Sequence, residues 1–284
     1  MIYFIPILGA LTLAIITIWE KFVLRKKNID IKIFQTSAFL SAVLVMIPLL
    51  FFFWKFDVNA LEPKNLLIFG GVILSSLLAN YFMFFALKWE KVSNLEPALI
   101  LEPLFTILLA VLFSLFFTGL YERNLEIIIP AIIASLALVF SHIKKHHLNF
   151  NKYFLAAIAG SFFFALELII SRLILEFYSP LSFYFLRCLF IFIISLIIFR
   201  PNFSKLNTKI SSQIFFIGAL WVLYRIVVYW GYLQLGVVFT TLMILLGPVF
   251  VYALASIFLK EKLELRNILA AIVILACILY VSLN

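Results

Sequence analysis

The sequence predicts an all-α integral membrane protein, with ten transmembrane helices arranged as two inverted five-helix repeats. Three observations carry that expectation. Of 284 residues, 66% are hydrophobic and 12% charged, with a mean hydropathy of +1.20, more apolar surface than a water-soluble fold can bury. Charge-poor runs of roughly 20 residues, the length that spans a hydrocarbon layer, recur throughout and leave no room for a soluble domain. The chain also matches itself when shifted by 145 positions, which brings Ala86 onto Gly231 and Pro103 onto Pro248.

Taken in order, the first run, 4–24, has no basic stretch before it and no small-residue cleavage site after it, so it reads as a membrane helix and not a secretory signal. Runs at 34–54 and 66–88 follow, parted by a segment holding Lys55, Asp57 and Pro63. The fourth, 95–118, contains Pro103, and the shorter fifth, 126–142, completes the first repeat, residues 1–149. The second repeat, 150–284, holds runs at 153–175, 181–199, 213–233, 237–259 and 265–282. Only Gln234 to Gly236 part the eighth from the ninth, and the repeat favours counting them separately. Beyond the two prolines the first half carries about six extra residues, after which ERNLEIIIPAIIASLAL from Glu122 answers EKLELRNILAAIVILAC from Glu261.

An odd number of helices per repeat makes the second copy enter the bilayer with opposite orientation. The breaks after the odd-numbered helices carry nearly all the loop Lys and Arg, among them Lys26, Lys91, Lys144, Arg200 and Lys260, against Lys55, Lys64 and Arg123 on the other side. The positive-inside rule then puts the first set in the cytoplasm of a bacterial or archaeal cell and both termini outside.

Lys and Arg outnumber Asp and Glu by 22 to 13, a net +9. This excess is confined to short breaks, so it reports topology and anionic lipid, not a nucleic-acid face. Cys188 and Cys277 fall inside apolar runs without a CxxC spacing and read as packing residues. His142 and His146 have i, i+4 spacing, but Lys144 and Lys145 beside them disfavour a metal. With no HExxH, GxSxG or Walker-type loop, no cofactor is expected. An alternative reading, a membrane-embedded enzyme acting on a lipid or lipid-linked substrate, lacks a His or Asp cluster, and a channel lacks a polar pore stripe.

The segments FMFFALKWEKVSNLEPALILEPLFTILLAVLF at 82–113 and YWGYLQLGVVFTTLMILLGPVFVYALASIFLKEKL at 229–263 resemble the drug/metabolite transporter superfamily, EamA type. In both, small and aromatic residues end one helix, a short turn follows, and the next helix holds a proline and leads to an acid. The resemblance implies a ten-helix carrier with a central cavity and alternating access. An Arg near the start of each half's second helix belongs to the pattern; it appears as Arg187, with no counterpart around Thr36 to Ala38.

Charged residues within apolar runs are costly, near 2.5 to 3.5 kcal/mol on translocon scales, and must be compensated. At about 1.5 Å per residue, Glu167 and Arg187 fall roughly 21 Å from the cytoplasmic edge, Arg225 roughly 18 Å and Glu102 roughly 11 Å. If the first three face one cavity, their net positive charge suits a carboxylate or phosphate, and Glu102 suits an amine or a coupling proton. A fixed Glu167–Arg187 ion pair joining two helices is the structural alternative. Arg225 corresponds to Asn80 under the shift, and Tyr81, Tyr224, Tyr229 and Trp230 lie within about a turn; Arg225, Asn80, Tyr81, Tyr229 and Trp230 are candidates for contact with a solute. Pro103 and Pro248 are expected to kink their helices and free the carbonyls of Leu99 and Ile244. Glu20 and Arg172, near helix ends, read as snorkelling residues, and Glu96 before Pro97 as a helix start. The expected function is secondary transport of a small polar or amphoteric, amino-acid-like metabolite, with the bilayer, the solute and coupling protons as partners.

Overall fold

A computed structural model describes residues 5–24, 29–90, 92–142, 151–250 and 265–283. The described residues are all-α, with one isolated bridge between Phe56 and Tyr178. The helices are α1 (Ile5–Leu24), α2 (Ile31–Phe53), α3 (Pro63–Trp89), α4 (Val92–Leu99), α5 (Leu101–Ser114), α6 (Leu125–His142), α7 (Lys152–Arg172), α8 (Pro180–Phe199), α9 (Thr208–Gln234), α10 (Val237–Ile244) and α11 (Leu265–Leu283). Among the described residues, eight stretches are long and apolar enough to cross a bilayer, Pro97–Ser114 among them, and Leu125–Ser141 and Val237–Phe250 are shorter apolar helices. The chain is a multi-pass membrane protein of about ten helices.

Local chemistry sets the starts and stops. Asn151, Ser179 and Asn207 precede α7, α8 and α9, and each side chain accepts from backbone N–H groups of the first turn. Pro63 and Pro180 stand at first-turn positions where no N–H is needed. Arg200 closes α8 in the left-handed region, φ 43°. Connections gather at the two ends of the bundle. At one end Asp57 N donates to Phe177 O at 2.8 Å and Lys55 N to Ser182 Oγ at 2.9 Å. At the other, Lys88 Nζ donates to Ile29 O at 2.6 Å and Asn151 Nδ2 to Glu90 Oε2 at 3.1 Å.

The largest interfaces run between the two parts of the chain: α3 with α7, α1 with α9, α2 with α8 and α6 with α11. Membrane helices approach closely where side chains are small. A Cβ on Gly218 of α9 would lie 2.7 Å from Ser41 Cβ and 2.8 Å from Ala42 N of α2, and one on Gly160 of α7 would lie 3.3 Å from Ala79 O of α3. Away from these seams the bundle presents apolar side chains such as Phe51, Leu67, Phe140 and Ile198 to lipid.

The run expected at 95–118 is two helices. The backbone leaves the α-helix at Ile100, three residues before Pro103, and again at Leu245, three residues before Pro248. Both interruptions follow eight-residue helices whose starts, Val92 and Val237, also correspond under the 145-residue shift. Proline removes the N–H that would bond to the carbonyl four residues earlier, so the ladder opens there. Ser161 of α7 donates to the nearby Ala98 carbonyl at 2.8 Å, satisfying one group that the break exposes.

Candidate functional site

Three helices bring buried charges together. Glu167 projects from the last third of α7, Arg187 from α8 and Arg225 from α9; their exposures are 0%, 2% and 6%. Glu167 Oε1 lies 3.3 Å from Arg187 Nη1, and Oε2 lies 3.3 Å from Arg225 Nη1. Tyr229, one turn beyond Arg225 on α9, donates to Glu167 Oε1 at 2.8 Å and accepts from Arg187 Nη1 at 2.8 Å. Ser76 of α3 accepts from Arg187 Nε at 2.7 Å. Ser171, one turn after Glu167, donates to the Glu167 carbonyl at 2.7 Å with Oε1 3.1 Å away.

The two carboxylate oxygens are therefore unlike. Oε1 is held by Tyr229, Ser171 and Arg187. Oε2 and Arg225 Nη1 face each other as an ion pair, yet neither has a hydrogen-bond partner. Aromatic faces complete the guanidinium surroundings: Tyr184 at 5.4 Å from Arg187 Cζ, and Phe164 and Tyr224 at 5.6 and 5.5 Å from Arg225 Cζ. One acid and two arginines leave one surplus positive charge, which in a low-dielectric interior demands an anion.

Glu102 is half-buried in the first turn of α5, just past the Ile100 break. It is close enough for Arg225, Glu167 and Arg187 to act on its charge, although no ion pair joins it to them. Asn80 is buried and donates to the Ser76 carbonyl at 2.8 Å, one link from Arg187. Pro103 and Pro248 flank the breaks.

Two candidates fall away from the cluster. Tyr81 is 40% exposed and lies against Phe82 and Phe199, because one residue along a helix turns it about 100° from buried Asn80. Trp230 is half-buried and gives the cluster no hydrogen bond or ring contact. Glu20, expected to snorkel, instead lies 8% exposed and accepts from Trp221 Nε1 of α9 at 2.7 Å. Arg172 is half-buried, with Nε and Nη1 enclosed and unbonded among the described residues. Ser76, Ser171 and Tyr184 were not singled out from sequence; spacings of four to Asn80, Glu167 and Cys188 were the available signal. The side chains of Glu96 and of His142, His146 and His147 lie outside the described residues, among which no three His, Cys, Asp or Glu gather as a metal site.

Residues 151–283 match the model of the EamA-like transporter family. A solved crystal structure is similar at a TM-score of 0.69 and 16% identity, covering 99% of this chain and 95% of that one, a likeness that speaks for the fold alone. Among curated proteins none matches.

Proposed function

From the match of residues 151–283 to the EamA-like transporter family model, we propose that the chain is a secondary carrier for a small amphoteric, amino-acid-like solute. Two five-helix halves, 1–149 and 150–284, work by alternating access around the Glu167, Arg187 and Arg225 level. The observation that carries the reading is the Arg225–Glu167 contact: a buried guanidinium nitrogen whose ionic partner offers it no hydrogen bond. A solute carboxylate meets that need with short charge-assisted bonds. Glu102 supplies the complementary charge for an amine, and the breaks at Ile100 and Leu245 provide backbone that can rearrange as the solute passes. Asn80 and Tyr229 belong to the same polar level. The basic ends of the odd-numbered loops face the cytoplasm, which leaves both termini outside.

Counterflow in proteoliposomes tests this. Loaded and external amino acids are expected to exchange with trans-stimulation, and Arg225→Gln is expected to abolish exchange while the protein still folds. Absence of exchange for any zwitterion, or full exchange by Arg225→Gln, overturns the reading.

A further inference from the structure

We propose that Glu122 is a latch that pins the N-terminus of α10 to the α5–α6 connection, and that the bundle must release it each time this end opens to water. The latch takes its role from the carrier reading but stands on separate residues. Glu122 lies outside the membrane-spanning helices. Its Oε1 accepts from Val238 N at 2.8 Å and from Phe239 N at 3.4 Å, so a side chain from the first half caps a helix of the second.

The seat is built for it. Gly236 takes φ +91°, and any Cβ there would collide with the Glu122 carboxyl. A side chain is thus excluded at this position both by backbone conformation and by space. Beside it Tyr121 Oη donates to Ile169 O of α7 at 2.7 Å, and Arg123 folds back on the Ser114 carbonyl. Three consecutive residues tie one connection to α5, α7 and α10. The far end of α10 is the Leu245 break, so freeing its N-terminus frees a short helix between two yielding points.

The second oxygen, Oε2, is buried without a partner. Beside Glu122 stand Tyr121 and Arg123, and titratable groups on the neighbouring elements include Glu102 on α5, Glu126 on α6, Glu167 and Arg172 on α7 and Tyr224, Arg225, Tyr229 and Tyr232 on α9, with none on α10. Among the described residues no ion pair joins any of them to Glu122, and the strongest influences on its carboxyl are burial and the backbone N–H groups. Burial pushes the Glu122 carboxyl above its ordinary value of 4.5, and the backbone N–H groups only partly oppose that. The closed end therefore binds a proton on Oε2 more tightly than the open, hydrated end does. Acidification holds the latch shut; as pH rises from 4.5 through the raised value this contribution is lost and the proton leaves to water on that side.

Labelling of Val238→Cys by a water-soluble maleimide, in a background lacking Cys188 and Cys277, tests the latch without requiring transport, because Val238 is fully buried when the end is closed. All rates are divided at each pH by that of the same thiol in the unfolded protein, so that thiolate formation cancels; labelling so normalised is expected to quicken several-fold as pH rises from 5 to 9. Glu122→Gln, which keeps the acceptor and stays neutral, is expected to label at the slow acidic rate at every pH. Glu122→Ala is expected to label fast throughout. A pH profile for Glu122→Gln like that of the parent, or equal rates for the Gln and Ala variants, overturns the proposal. Slow, pH-linked labelling without solute exchange would instead retain the latch and remove the carrier reading.

Discussion

Replacing Glu167 with Gln removes the one charge that, among the described residues, pairs directly with two buried guanidinium groups. The side chain keeps its shape and an acceptor for Tyr229, so the loss is electrostatic and not steric. Removing one partner of a buried pair costs about 3–5 kcal/mol, because the remaining charge is stranded away from water. Here both Arg187, 2% exposed, and Arg225, 6% exposed, are stranded together. Arg225→Gln should behave differently: it deletes a contact with no hydrogen bond on either atom and leaves the Oε1 network with Tyr229, Ser171 and Arg187 in place. Its cost should be about 1 kcal/mol, the scale of a single polar contact. The double variant strands one guanidinium instead of two and should be more stable than Glu167→Gln alone. Thermal unfolding of the four proteins in one detergent measures the cycle. The reasoning about unequal carboxylate oxygens is refuted if Arg225→Gln destabilises as much as Glu167→Gln, or if the double variant is the least stable of the four.

Three further outcomes are expected. Trp221→Phe leaves Glu20 Oε1 buried without its donor and should cost about 1–3 kcal/mol, read as a lowered unfolding temperature. Ser161→Ala strips the Ala98 carbonyl of its partner beside the Ile100 break; a loss of about 1 kcal/mol is expected, and an unchanged melt would argue that water replaces the hydroxyl. Gly218→Ala drives a Cβ to 2.8 Å from the Ala42 backbone nitrogen, which cannot yield as a side-chain tip can. Separation of α2 from α9 at that seam should lower the folded yield by at least the 1–3 kcal/mol typical of overpacking, measured by fluorescence-detected size exclusion.

Much of this was legible along the chain because a bilayer imposes a one-dimensional code. Apolar runs of spanning length, the prolines at 103 and 248, and intramembrane charges are each visible without knowing any contact. That Tyr229 lies within a turn of Arg225 on the same helix was also visible, though its partners, Glu167 and Arg187, were not. Helix rotation was not legible. In helices apolar on every side, hydropathy has almost no preferred face, so Tyr81 beside Asn80 and Glu20 near a helix end were placed by position and not by direction. Glu122 showed only as an acid in an aligned segment, since nothing nearby in sequence marks the α10 amides it caps.

By itself, then, the sequence determined an all-α membrane protein, the approximate helix count, the two points at which a helix breaks and the presence of acids and arginines that lipid cannot tolerate. Backbone and side-chain chemistry in a bilayer leave few alternatives for such features. Only the tertiary structure decided which charges meet. Glu167 divides its oxygens between Arg187 and Arg225, Glu20 finds Trp221 across 201 positions, and Glu122 crosses to the second half. Those choices depend on how helices rotate and approach one another, and that is settled by small residues such as Gly218 and Gly160 at seams between distant parts of the chain.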